Sequence, residues 1–314
     1  MKKVFNGVNF GMEKYLRETK MLDYSSKNIQ RLIQERNWND IEVFERLKSI
    51  YNFVRDEILF GYNIDDNISA SKVLADGYGQ CNTKGTLFMA LLRACNIPCR
   101  VHGFTIDKKL QKGAMTGIVY KNAPQNVFHS WVEVNFEDKW YELEAFILDM
   151  EYLRKMQRKN SHCTGAFCGY GVAVKDFKNP IIDFDRNNTY IQSEGINQDF
   201  GVYDSPDDLL KEHHQEMSVI KVFLYRNLGR HLMIGMLIKL EIHNFMFNEE
   251  MIYMKKSISR IIGVIMLIVA IAFIIFALNH PEKSFLWSNR ITWLLYGVYF
   301  LVTIVLLIAP KMKK

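Results

Sequence analysis

Asp76-Gly77-Tyr78-Gly79-Gln80-Cys81-Asn82-Thr83-Lys84-Gly85, running on through Leu87, Phe88, Met89, Ala90, Leu91 and Leu92 to Ile97-Pro98-Cys99-Arg100, decides the fold. Gly77 and Gly79 permit a tight turn. The apolar run after Cys81 has helix length and must stop before Pro98, which cannot continue a helix. Being apolar on most sides, this helix is expected to be buried. Cys81 falls in its first turn, where free backbone N–H groups and the helix dipole favour a thiolate. A lone cysteine at a helix start is more often a packing residue than a nucleophile. The reading therefore depends on what accompanies it.

Two segments downstream supply the company. Phe128-His129-Ser130-Trp131-Val132-Glu133-Val134 and Lys139-Trp140-Tyr141-Glu142-Leu143-Glu144 read as strands by their aromatic and β-branched content, joined by a short polar turn. They offer His129 to take the thiol proton and Glu144 to orient the imidazole, the arrangement an activated thiol needs. If the turn is the two-residue loop Glu137-Asp138, Phe136 faces Lys139 and Glu144 faces Trp131. Glu144 is then one diagonal step from His129, ~7–8 Å along the backbone and on its side of the sheet. A three-residue turn would put it on the opposite face. Asp149 is the fallback carboxylate.

This ordered set resembles the transglutaminase-like superfamily, the papain-related thiol fold shared by transglutaminases, some bacterial cysteine proteases and peptide N-glycanases. The matching text is Gly79-Gln80-Cys81, then Leu92-Arg93-Ala94-Cys95-Asn96-Ile97-Pro98-Cys99-Arg100, then His129 to Val134 and Trp140 to Glu144. It covers about Val73 to Asp149. One departure is that the family usually carries aspartate where this chain has Glu144. The resemblance implies an α+β fold, a cysteine helix against an antiparallel sheet, with Cys81, His129 and Glu144 as a triad. It also implies an acyl-thioenzyme resolved by water (peptidase or amidase) or by an amine (transglutaminase), with no metal or organic cofactor. The Cys81 N–H and Gln80 are the candidate oxyanion donors. The competing reading is a non-catalytic binding or scaffold domain on the same fold, which the glutamate would favour.

The remaining chain sets the context. With 314 residues, 49% hydrophobic and 13% aromatic, it can build a sizeable core and is not disordered. A net charge of +6 without a basic stripe gives no footprint for nucleic acid. Five cysteines and no apolar leader point to a reducing compartment. The spacings of Cys95 with Cys99 and of Cys163 with Cys168 are weak as metal motifs, and none is expected to bind metal. Helices are expected after Ser25 or Ser26, after Asp40 as N-cap, and from Asp149 to Gln157. Strands are expected from Val101 to Ile106 and at Ile118-Val119-Tyr120. His102 competes with His129 as the base, although packing is its commoner role. Trp131 and Trp140 read as core or cleft wall.

Residues 158–204 carry no functional signal. Ser205-Pro206-Asp207-Asp208 reads as a helix start, and Leu232 to Ile242 as a buried helix or one lying on a membrane surface. Ile261 to Leu278 and Ile291 to Ala309 hold no charge and are long enough for the bilayer core. The expected organisation is a catalytic domain over 1–150 (motif core 73–149, preceding helices 25–58), a mostly helical extension over 151–250, and a two-helix transmembrane hairpin, 261–278 and 291–309. Lys255, Lys256, Arg260, Lys311, Lys313 and Lys314 flank the spans, whereas the connector carries only Lys283 and Arg290, with Glu282 opposing. The positive-inside rule then places both termini, and the N-terminal domain, in the cytoplasm. The expected partners are a protein or peptide substrate and the lipid bilayer.

Overall fold

The computed structural model describes residues 11–215, 217–239, 247–280 and 289–308. The chain divides into two units, Met1–His243 and Asn244–Lys314. In the first, α1 (Lys27–Glu35) follows Ser26 as N-cap. Asp40 ends a short 3-10 turn instead of capping the next helix; α2 (Val43–Asp56) starts after Glu42. Leu47, Ile50, Tyr51 and Val54 lie on the buried face of α2. β1 (Leu59–Phe60) and β2 (Tyr78–Gly79) pair in parallel around α3 (Ala70–Asp76). Gly77 closes α3 in the left-handed region, at φ 71°, where a side chain would be strained.

The helix behind Cys81 is α4 (Cys81–Ala94). Every side chain from Leu87 to Leu92 is fully buried, and Phe88 packs on Phe146 and Tyr51 at 4.9 and 6.0 Å. The chain leaves it through Asn96, at φ 59°, and Pro98 into β3 (Cys99–Asp107). Next come α5 (Gly117–Asn122), β4 (Asn126–Phe136), β5 (Lys139–Leu143) and α6 (Met150–Lys159). Ile118 to Tyr120, expected as a strand, lie in α5, because three apolar residues do not distinguish the two periods.

β6 (Phe167–Gly169) and β7 (Val172–Val174) form a small hairpin, and β8 (Ile196–Tyr203) follows. The main sheet has the order β5-β4-β3-β8, antiparallel throughout. Residues after 150 thus belong to the same unit, and the boundary expected there, with a mostly helical extension beyond it, is corrected. β8 escapes sequence reading because it is a largely exposed edge strand without apolar alternation. α7 (Pro206–Glu212) has the expected serine cap, Ser205 Oγ accepting from Asp208 N at 3.2 Å. α8 (Val219–Leu224), a π-turn and α9 (Arg230–Lys239) complete the unit.

One sheet face packs on α4. Gly85 lies on the packed side of the helix, where a Cβ would sit in ordinary contact with Val132 and Phe146. The other face carries a second core of Phe104, Ile106, Leu110, Trp131 and Ala173, with Tyr190 against it. The segment that includes β6 and β7 therefore covers the back of the sheet.

The second unit contains α10 (Phe247–Asn279) and α11 (Asn289–Ile308). Ser259 Oγ donates to Leu306 O at 3.1 Å and Tyr299 OH to Met266 O at 2.8 Å, so the helices pack antiparallel. Ser259–Ala277 of α10 is long and apolar enough to cross a membrane. The described apolar stretch of α11, Ile291–Leu307, is shorter.

Candidate active site

Cys81 is the first residue of α4, with Gln80 as N-cap. The turn before it is fixed by packing: a Cβ on Gly79 would lie 2.7 Å from Thr83 Oγ1 and 3.0 Å from Lys84 Cγ. Gln80 N donates to Thr83 Oγ1 at 3.0 Å, and Thr83 Oγ1 donates to Asn63 Oδ1 at 2.6 Å. The Gln80 side chain accepts from Asn63 N at 2.8 Å and donates to Asp66 Oδ1 at 2.9 Å. Both the oxygen and the nitrogen of that amide are thus engaged, so Gln80, expected as an oxyanion donor, also braces the loop before the helix. The Asp66 carboxyl is raised above its ordinary range, by burial first, against hydrogen bonds from Gln80 and Asn82. The cysteine itself is half-buried, with helix-start N–H groups beside it.

His129 stands on β4 and is fully buried. The turn that aims its partner has the two-residue register: Phe136 faces Lys139, with Glu137 and Asp138 both at positive φ, 53° and 60°. Glu144 follows β5 immediately, also fully buried, and its Oε1 lies 2.9 Å from His129 Nε2. Its other oxygen accepts from Ile191 N at 2.9 Å and Gln192 N at 2.8 Å, and its own N–H donates to Thr189 O at 2.9 Å. The carboxylate is held from three sides.

With Nε2 on Glu144, Nδ1 is the ring nitrogen left for a second task. It has no hydrogen-bond partner among the described residues, and Cys81, with Glu144, acts on the ring electrostatically. Burial opposes the imidazolium, but a negative Cys81, together with Glu144, outweighs it and lifts His129 to about 10. The Phe104 ring stands edge-on to the imidazole at 4.8 Å. This arrangement can take a proton from the thiol and hold it as an ion pair.

The alternatives fall elsewhere. His102 has both nitrogens committed, Nδ1 to Glu133 Oε1 at 2.9 Å and Nε2 to Asp199 Oδ1 at 2.7 Å. Burial works against its charge, yet those two carboxylates raise its pKa, so it is a structural ion-pair residue. Asp149 caps α6 through Tyr152 N at 2.7 Å and accepts from Phe60 N at 3.3 Å. Cys95 and Cys99 are buried, and burial pushes both thiols up to about 11. Trp131 packs on Phe104 and His102 at 4.6 and 4.8 Å. Among the described residues, no group of three His, Cys, Asp or Glu side chains is placed to hold a metal. The main-chain donors of Ile191 and Gln192 carry no side-chain signature, and the bracing by Asn63 depends on contacts seventeen to twenty residues away.

Residues 30–145 match the family model described as Transglutaminase-like superfamily. No curated protein matches the chain. A solved structure from Cytophaga hutchinsonii, described as a candidate cysteine protease, aligns at 15% identity with a TM-score of 0.38. The alignment covers 64% of this chain and 50% of that one.

Proposed function

We propose that the chain is a membrane-anchored thiol enzyme acting on carboxamide or peptide bonds through Cys81, His129 and Glu144. The observation that carries this reading is the buried His129–Glu144 pair, which leaves one imidazole nitrogen for a half-buried cysteine at a helix start. His129 takes the Cys81 proton, and the thiolate attacks the carbonyl carbon. The imidazolium, steadied by Glu144, returns the proton to the leaving group. The acyl-thioenzyme is then resolved by water or by an amine, with peptidase or amidase chemistry the leading outcome. A binding domain would gain nothing from burying an imidazolium–carboxylate pair, whose desolvation is costly.

The anchor in this reading is α10 with α11 as a second span, both termini cytoplasmic. Their antiparallel packing supports two crossings, and α11 at 20 residues is ~30 Å long, enough for the bilayer core. The test is mass spectrometry of the detergent-solubilised chain after p-nitrophenyl acetate. An acetyl group on the Cys81 peptide, absent in His129→Ala, is expected; acetylation equal in both chains would contradict the mechanism.

A further inference from the structure

Gln215 and Tyr225 are attached to the two sides of the site. β5 pairs with β4 only between Val132 and Phe136, so the stretch of β4 beside His129 has an edge that β5 does not reach. There Phe128 N donates to Gln215 Oε1 at 2.9 Å, and Gln215 Nε2 donates to Asn126 O at 3.3 Å. On the cysteine side, Tyr225 OH donates to Asn63 O at 3.0 Å. Asn63 N donates in turn to Gln80 Oε1 at 2.8 Å, on the residue before Cys81. Arg226 pairs with Asp65, farther along the same loop.

α8 lies between these attachments in sequence and buries no residue; Val219, Ile220 and Phe223 are 86%, 72% and 61% exposed. Past the π-turn, by contrast, α9 is seated in the unit. Met233, Ile234 and Leu237 are buried, and Thr116 Oγ1 donates to Met236 Sδ at 3.8 Å. A segment held by polar bonds at its ends, with no apolar burial between them, opens at far lower cost than the core around it. Tyr225 and Arg226 both begin the π-turn (Tyr225–Gly229), a geometry that concentrates at functional sites.

We propose that α8 is an autoinhibitory strap across the mouth of the site, latched by Tyr225 on Asn63 and by Arg226 on Asp65. Latched, it admits small reagents to Cys81 and excludes a protein chain. Release of the two latch residues swings α8 away on the seated α9. This rests on the thiol-enzyme reading of Cys81, whose substrate the strap would hold off. The Arg226–Asp65 pair is partly exposed on both sides, so it is weak and screened by salt. It is the part of the latch that a competing charge displaces.

The test uses two reagents with one electrophile, N-ethylmaleimide and a poly(ethylene glycol) maleimide, on the full chain in detergent. Mass spectrometry follows the loss of each unmodified cysteine peptide. The ratio of the two rates at one cysteine reads access alone, and exposed Cys168 gives its value on open surface. At Cys81 the polymer is expected to lag by on the order of tenfold relative to Cys168. Arg226→Glu is expected to remove most of that lag, and Tyr225→Phe, which loses only the bond to Asn63 O, to reduce it. Asp65→Arg added to Arg226→Glu is expected to restore it. A Cys81 ratio equal to that of Cys168 in the unsubstituted chain overturns the proposal. So does a lag that Arg226→Glu leaves unchanged, or one that the charge swap does not restore. His129→Ala acts on both reagents alike, so its failure to slow either one counts against the thiol-enzyme reading, while the ratio judges the strap.

Discussion

His129 Nε2 and Glu144 Oε1 lie 2.9 Å apart with neither side chain exposed to solvent. The two residues are brought together by the Glu137-Asp138 turn, and the carboxylate is locked by the N–H groups of Ile191 and Gln192. Glu144 also helps raise His129 to about 10, after the larger contribution of Cys81 against burial. Glu144→Gln removes that support and lowers the pKa of His129. Imidazole titration followed by NMR is expected to move to lower pH, and Cys81 acetylation to slow by on the order of 10²-fold. An unchanged rate would remove Glu144 from the mechanism.

The turn itself offers a stability test. Glu137 and Asp138 both occupy the left-handed region, which asparagine and glycine tolerate better. Replacing the pair with Asn-Gly is expected to stabilise the chain by up to about 1 kcal/mol. Thermal unfolding with an unchanged or lower midpoint would speak against the type I′ geometry.

Lys84 provides a pH signature. It is fully buried on α4, donating to Arg55 O at 3.1 Å and Ile147 O at 3.0 Å. Burial lowers it to about 7; Asp149 and Asp56 oppose that shift, and Arg55 adds to it. The unfolded chain, with lysine near ~10.4, binds more protons between those values. Lys84 thus lets stability rise with pH from about 7 to about 10. His129 has the opposite sign: its contribution is full below ~6.5 and is lost as pH rises through about 10. Lys84→Met leaves the His129 slope alone. The stability gap between unsubstituted chain and variant is expected to widen as pH rises through this window. A gap independent of pH would contradict the assignment.

The part of the site that was legible came from side chains with a pattern. Cys81 was marked by the glycine turn and the apolar run, and His129 and Glu144 by strand alternation on either side of a polar pair. What stayed hidden was supplied by backbone or by polar edge structure. The N–H groups of Ile191 and Gln192 have no sequence signal. β8 is an exposed edge strand, so residues after 150 did not announce that they complete the sheet. Gln80 looked free because nothing local reveals that Asp66, fourteen residues earlier, takes its amide.

The orientation proposed for the anchor is tested in intact cells. An N-terminal tag is expected to resist protease added outside and to be digested once the membrane is opened. Digestion in intact cells would reverse the topology.

The most direct measurement of the central claim is the iodoacetamide alkylation rate of each cysteine in the full chain against pH, with and without His129. Cys81 is expected to react first at neutral pH, and to slow on His129→Ala. Cys95 and Cys99, buried and raised to about 11, are expected to stay unmodified under the same conditions. Equal Cys81 rates with and without His129, or earlier reaction of Cys95 or Cys99, would contradict a thiol nucleophile at the start of α4.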